Sequence, residues 1–404
     1  MSSSGISLSV APRSLQPRSQ KTLILLLLVI GIAIILALSP FGWRQCVLFL
    51  IGNLFGISLY HASFGFASAY RKLFVHGEFK GILAQILMLA CATLLFAPIL
   101  LRGSLWGQEM TGAVFPVSVQ GAIGAFLFGV GMQLGSGCAC GTLYTIGGGS
   151  SMMLLTLLTF CIGAFWSTLT APFWSGFPKT EPLSLIEQWG WTGVSIQLLT
   201  FGLIACALWF AKKNPEKKSE VMPTSPGQPS SWLHSLLYGP WSLPIGAFML
   251  AFLNGLTLLI AGRPWGVTSG FTLWGAKIAQ LLGWNPATSE YWSQGTHFES
   301  LSRSVLADVV SVMNLGIILG AALAAALVGR LSIKKPPSKL AMMAALLGGL
   351  LMGYGARLAF GCNVGAYFSG IASTSLHGWL WIICAMGGTA LGVKLRPLFE
   401  LSNG

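Results

Sequence analysis

The sequence predicts an all-α polytopic membrane protein, with about ten helical spans plus short re-entrant segments arranged as two inverted pseudo-symmetric halves. Three observations carry this: a composition unfit for water, apolar runs of membrane-spanning length along the whole chain, and one motif that occurs twice. Hydrophobic residues make up 54% of the 404-residue chain and charged residues 8%, against roughly 25% charged in soluble domains. No water-soluble surface can be built from that balance, so the lipid bilayer is the solvent.

Runs of about 20 apolar residues span a hydrocarbon core of about 30 Å as helices. They fall near 22–39, 44–62, 81–101, 118–138, 151–171, 191–211, 242–262, 305–328, 340–361 and 376–394. Arg13, Arg18 and Lys21 precede the first run, Thr22–Ser39, which is long for a signal-peptide core and is assigned as a retained helix. The stretch 212–240 opens on charges and continues Pro/Ser-rich with no apolar period, so it is a linker. The expected organisation is an N-terminal tail and first helix (1–43), a first half with its connecting helix (44–211), a cytoplasmic linker (212–240) and a second half (241–404).

The net charge of +13 does not point to nucleic acid, because Lys212, Lys213, Lys217, Lys218, Lys334, Lys335 and Lys339 lie in short segments at span edges. Positive-inside topology accounts for them and places both termini in the cytoplasm. That count of crossings requires 266–283, short and polar, to be re-entrant or interfacial, as backbone facing a cavity can be.

An offset of 224 lays Cys138 on Cys362 and also superposes Gly129, Gly131, Gly137 and Gly141 on Gly353, Gly355, Gly361 and Gly365. The spans around them overlie as well. At a smaller offset Phe64–Tyr70 matches Trp265–Phe271, an insertion around 284–304 accounting for the difference. Each unit holds four spans, and the single span 191–211 between them inverts the second. Inverted repeats with interrupted helices meeting near the midplane are the usual plan of secondary transporters.

Eight cysteines all fall in or beside apolar segments, which excludes a secreted disulfide framework. A membrane cysteine is by default a small packing residue, the reading for Cys46, Cys91, Cys161, Cys206 and Cys384. Cys138 and Cys362 differ because they recur at equivalent positions inside glycine-rich helix breaks, where Gly137 and Gly361 let a solute reach backbone N–H groups. Cys140 faces Val364 at the offset and has no counterpart. Arg357 is the basic residue within a span beside the second motif; it is either functional or snorkels to the interface. Asp308, Lys277 and Glu290 lie nearer span edges, where they are solvated or paired. A soft-metal site at Cys138-Ala139-Cys140 finds little support: Met132 is the only thioether nearby in sequence, no histidine is close, and Cys362 stands alone. No metal or cofactor is expected. The phosphate loop Gly-x4-Gly-Lys-Ser/Thr is absent, so the chain does not itself hydrolyse nucleotide.

At GSGCACG (135–141), GARLAFGCNVGAYFSG (355–370) followed by Ser375-Leu376-His377, and FGFASAYRK (64–72), the chain resembles the YeeE/YedE family of bacterial sulphur transporters, which includes thiosulfate uptake proteins. The resemblance covers nearly everything after residue 44. It implies a permease of the bacterial inner membrane, not an enzyme, that takes up thiosulfate or a related small sulphur anion past cysteines at the centre of an hourglass. Cys138 and Cys362 match two of those cysteines. The third usually precedes a Phe-x-Ser-Ala-aromatic-Arg run, and Gly65 holds that place here, one residue after the position that Trp265 matches in the second half. A cytoplasmic sulphur-carrier or sulphurtransferase protein is a possible partner. Two alternatives remain open: a membrane-embedded thiol enzyme that transfers sulphur, and a transporter of a selenium compound.

Overall fold

The computed structural model describes residues 20–211, 238–336 and 338–403. The basic N-terminal residues and most of the 212–240 linker, with its four lysines, lie outside them. Among the described residues ten helices are long and apolar enough to cross a membrane, at the positions expected from the sequence within a few residues. The principal helices are α1 (Lys21–Leu38), α2 (Trp43–Ala62), α3 (Phe66–His76), α4 (Lys80–Arg102), α5 (Val119–Leu134), α6 (Ala139–Gly147), α7 (Ser151–Leu169), α8 (Trp191–Ala211), α9 (Leu243–Ala261), α10 (Thr268–Leu281), α11 (Val309–Leu327), α12 (Lys339–Leu358) and α13 (Leu376–Leu395). A π-helical segment, Asn363–Ser369, leads from the end of α12 toward α13.

Helix starts follow ordinary capping chemistry. Ser118 Oγ accepts from Gly121 N at α5, Asp308 Oδ2 from Ser311 N at α11, and Ser338 Oγ from Ala341 N at α12. The Asp308 cap moves the start of α11 four residues past the expected 305, and residues 305–307 form a short 3-10 turn. α1 and α8 present their sides outward, with Leu25, Leu28, Ile32 and Leu36 on one and Leu199, Leu203, Trp209 and Phe210 on the other exposed, as lipid-facing helices require.

The remaining helices pack in matched pairs. α2 lies on α11 and α4 on α9; α5 lies on α13 and α7 on α12; α3 touches α13 and α10 touches α7; and α5 crosses α12 at the centre. Glycines set these crossings. A Cβ at Gly129 would fall on Ala385 O of α13, and one at Gly353, its equivalent at the 224 offset, would fall on Phe160 O of α7. Gly124 and Gly348 are a second such pair, each pressed against the backbone where α5 meets α12.

Three expectations need correction. The span expected to run from 118 to 138 stops at Leu134, because Gly135 and a left-handed Ser136 (φ 58°) turn the chain out of the helix before the cysteine arrives. α12 likewise stops at Leu358, not 361. The segment after Gly65, given no element of its own, is the 11-residue helix α3. The re-entrant assignment for 266–283 matches α10, whose 14 residues give about 21 Å, well short of a bilayer crossing. One small hairpin, β1 (Ser104–Leu105) with β2 (Gln108–Glu109), and one long-range antiparallel strand pair, β3 (Pro116–Ser118) with β4 (Lys179–Pro182), are added to the helices.

Candidate functional site

The two helix breaks have one construction. Ser136 and Phe360, both at φ 58°, stand two residues before Cys138 and Cys362 and turn the chain into a new N-terminus. Each cysteine is then the N-cap of the next helical segment. Cys138 Sγ accepts from Gly141 N at 3.4 Å at the start of α6, and Cys362 Sγ accepts from Val364 N at 3.4 Å at the start of the π-helical segment. Sulphur thus takes the place usually held by a serine or aspartate oxygen. Gly361 has φ 155° and a Cβ there would meet Ala366 N at 2.6 Å, so that position requires glycine; at Gly137 a Cβ would make only ordinary contacts. The two glycines share a place in the repeat but not a steric need.

Both cysteines are fully buried, and each lies within electrostatic range of the other. Cys140 Sγ is 3.4 Å from Cys138 Sγ, so the unrepeated thiol belongs to the same cluster. Tyr70 of α3 and Tyr144 of α6 also lie within range of Cys138, and Asn363 Nδ2 donates to Tyr70 Oη at 3.4 Å. Met153 and Met352 approach Gly137 and Gly135 across the helix interface, so Met132 is not the only thioether nearby. Among the described residues no group of three His, Cys, Asp or Glu side chains converges as a metal site, and all eight cysteines are free. Cys161 is buried, Cys46, Cys91 and Cys384 are half-buried, and Cys206 is exposed on α8.

Two cavities lie among the described residues, and the larger reaches the cysteine-bearing waist at Gly361 and Gly365. The larger, about 460 Å³, is lined by Arg263, Trp265, Ser269, Tyr291, Arg357 and Gly361, among others. Arg357 lines this cavity: its guanidinium lies 4.8 Å from the Tyr291 ring centroid, and His297 stacks on Tyr291 with its ring centroid 4.1 Å away. Burial and the Arg357 charge both push the His297 imidazole below its usual pKa, while burial pushes the Tyr291 phenol up. At neutral pH both rings are uncharged, leaving the two arginines and Asp308 as the charges of that chamber. Trp265 forms its floor. It is 1% exposed, stacks on Phe55 at 3.8 Å, and its Nε1 has no partner.

The smaller cavity, about 140 Å³, lies at the start of α3 and is lined by Phe64, Gly65, Ser68, Lys72, Glu78, Lys80 and Gln85, among others. Gly65 is therefore at the cavity wall, as Gly266 is in the larger cavity, and both precede a short helix. Away from the cavities, Lys277 donates to Leu301 O and Arg303 O, Asp308 caps α11 while also lining the large cavity, and Glu290 is exposed. Sequence reasoning missed Gln85, Tyr70, Asn363, Arg263, Tyr291 and His297. The last two come from the insertion around 284–304, which docks through Trp292 Nε1 to Thr168 Oγ1 at 2.8 Å.

Ten long apolar helices with two broken helices capped by thiols are the features of a multi-pass membrane protein of the transporter type. The sequence profile described as sulphur transport matches residues 61–391, and the chain belongs to that family, in agreement with the motif resemblance. A probable transporter, YedE, of Escherichia coli K12 is 35% identical over 173 residues, 42% of this chain and 41% of that protein. The thiosulfate transporter TsuA of Spirochaeta thermophila is 28% identical over 352 residues, 82% of this chain and 92% of that protein. TsuA of Escherichia coli K12 is 27% identical over 274 residues, 65% of this chain and 70% of that protein. The YedE match thus spans about two fifths of each chain.

Proposed function

We propose that this protein is an inner-membrane permease that takes up thiosulfate or a closely related small sulphur-containing anion. The ion enters through the Arg263/Arg357 cavity, passes Cys362 and Cys138, and leaves through the cavity beside Gly65. The reading is carried by the two buried thiols at equivalent helix breaks, Cys138 and Cys362, together with one cavity that reaches Gly361 and another at Gly65. A neutral thiol is a weak, polarizable donor that does not repel a dianion, and free cysteine at about pKa 8.5 is mostly neutral at physiological pH. Several weak contacts suit conduction better than one tight one. Arg357 and Arg263 supply attraction at entry, Trp265 bounds the entry floor, Gly137 and Gly361 keep backbone accessible at the waist, and Cys140 adds a third sulphur beside Cys138.

The same reading makes the halves inverted: exchanging α2–α7 for α9–α13 exchanges every helix pair described above for its counterpart. The face carrying Lys72, Lys80, Lys334, Lys335, Lys339, Lys394 and Arg396 is then cytoplasmic by the positive-inside rule. A sulphur-carrier protein or sulphurtransferase would collect the ion there.

The test is uptake of labelled thiosulfate by cells lacking other sulphur importers. Cys138→Ala and Cys362→Ala should each abolish most uptake at normal membrane levels, whereas Cys46→Ala and Cys206→Ala should be mild. No uptake by the wild-type protein, or normal uptake by both waist variants, refutes the proposal.

A further inference from the structure

The cavity beside Gly65 contains a side chain that the fold leaves without a partner. Gln85 of α4 is 1% exposed, yet neither Nε2 nor Oε1 makes a hydrogen bond, and the residue lines the cavity. Leaving a buried donor or acceptor unsatisfied is costly, and a buried amide carries both kinds of group. An apolar residue of similar size would avoid that cost, and the other residues facing lipid and core along α4 are almost all apolar.

A second observation points to the same place. α3 begins at Gly65, whose missing side chain cannot cap it, and the first intrahelical bond is Ala69 N to Gly65 O. The amides of Phe66, Ala67 and Ser68 therefore precede the hydrogen-bonded turns of an 11-residue helix, at the end that favours negative charge. Ser68, whose Oγ donates at 2.9 Å to Gly65 O, lines the same cavity, as do Lys72 and Lys80. Lys72 also lies 3.7 Å from Glu78, which tempers the positive charge at the mouth. The cavity, about 140 Å³, is roughly ten times the space one water needs, enough for one small oxyanion.

We infer that this cavity is an oxyanion site for the transported ion, in which the Gln85 amide and the start of α3 hold its oxygens where no cysteine is available to hold its sulphur. The inference rests on the anion-transport reading above and specifies how the ion is handled at the Gly65 end. The Gln85 amide N–H group donates to the ion, the Ser68 amide at the start of α3 donates as well, and Ser68 Oγ can turn from Gly65 O to add a third contact. These contacts come from neutral donors, while Lys72 and Lys80 add positive charge at the same wall, that of Lys72 tempered by Glu78.

The experiment compares wild type with Gln85→Leu and Gln85→Glu, each reconstituted as the full chain in liposomes, with labelled thiosulfate as the probe. Gln85→Leu removes an unsatisfied buried amide, so its thermal midpoint should equal or exceed that of wild type. Its apparent affinity for thiosulfate, measured from the α3 side, should fall about tenfold, the equivalent of one hydrogen bond to a charged group. Gln85→Glu should depress transport further, by placing a carboxylate against a dianion. Wild-type affinity in a stable Gln85→Leu protein overturns the site while leaving the transport reading intact. A Gln85→Leu protein that loses thermal stability in proportion to transport also overturns it, since the amide would then be structural. Failure of the wild type to move thiosulfate at all removes the reading on which the site depends.

Discussion

Replacing Gly65 with cysteine would supply a thiol at the position where the family resemblance implies a third cysteine, and the structure allows its cost to be worked out. Gly65 has φ −107° and ψ 114°, an extended conformation open to any L-residue, so no backbone strain is introduced. The new Cβ would fall on Ser68 Oγ and sit 3.7 Å from Tyr144 Oη. Ser68 Oγ is the end of a side chain and can rotate, giving up its 2.9 Å bond to Gly65 O, a loss of about 1 kcal/mol. Removing a glycine from the unfolded chain returns about 0.4–1 kcal/mol. The two nearly cancel, so Gly65→Cys should be expressed normally, with a melting temperature within about 2 °C of wild type. The thiol would stand between the smaller cavity and Tyr144, whose helix begins at Cys138. In a Cys140→Ser background, which should lower thiosulfate uptake, Gly65→Cys should partly restore it and Gly65→Ala should not. Uptake and membrane abundance are measured together. If both Gly65 replacements lose abundance while Cys140→Ser transports normally, Gly65 serves packing alone and the reasoning fails.

Two further outcomes follow from the fold. Gly129→Ala and Gly353→Ala place a methyl on the backbone of the neighbouring helix, so each should lower stability by about 1–3 kcal/mol and reduce membrane abundance; a stable variant of either would show that the crossing can widen. Cysteines introduced at Ser68 and Ser269, which line opposite cavities, should react with an impermeant maleimide from opposite sides of the membrane, and labelling of both from one side would rule out inverted halves.

How much of this was legible depends on which physical signal each feature leaves in a chain. The ten long helices were readable because crossing a bilayer requires a run of apolar residues too long to arise by composition alone. The breaks at Cys138 and Cys362 were readable because the same glycines recur at one offset. Their exact ends were not: Ser136 and Phe360 adopt a left-handed conformation without being glycine, and hydropathy carries no trace of that. α3 was missed because 11 residues with mixed polarity resemble a loop between spans. Gln85 was unreadable in principle, since a lone glutamine in an apolar run is as consistent with a pairing partner as with a ligand, and only the cavity distinguishes them. Arg357 was found but its setting was not, because Tyr291 and His297 come from an insertion that the first half lacks.

On the proposed path, discrimination between anions falls at one depth. Sulfate and thiosulfate are dianions of similar shape that differ in one atom, oxygen in the first and sulphur in the second. Guanidinium groups, hydroxyls, amides and helix N-termini bind through oxygen and treat the two nearly alike. Those are the donors of both cavities: Arg263, Arg357 and Ser269 on one side, Ser68 and Gln85 on the other. Among the described residues that the proposed path uses, the soft, polarizable atoms that favour the terminal sulphur are those of Cys138, Cys140 and Cys362. Cys138→Ser and Cys362→Ser keep an acceptor for the Gly141 and Val364 amides, so the breaks should survive while the soft contact is lost. If each contact contributes about 1 kcal/mol, its loss lowers the preference for thiosulfate roughly fivefold. Inhibition of labelled thiosulfate uptake by unlabelled sulfate measures this directly: sulfate should compete weakly in wild type and several-fold better in either serine variant. Serine variants that reject sulfate as wild type does would place discrimination in the cavities, and the thiols would then be no more than caps.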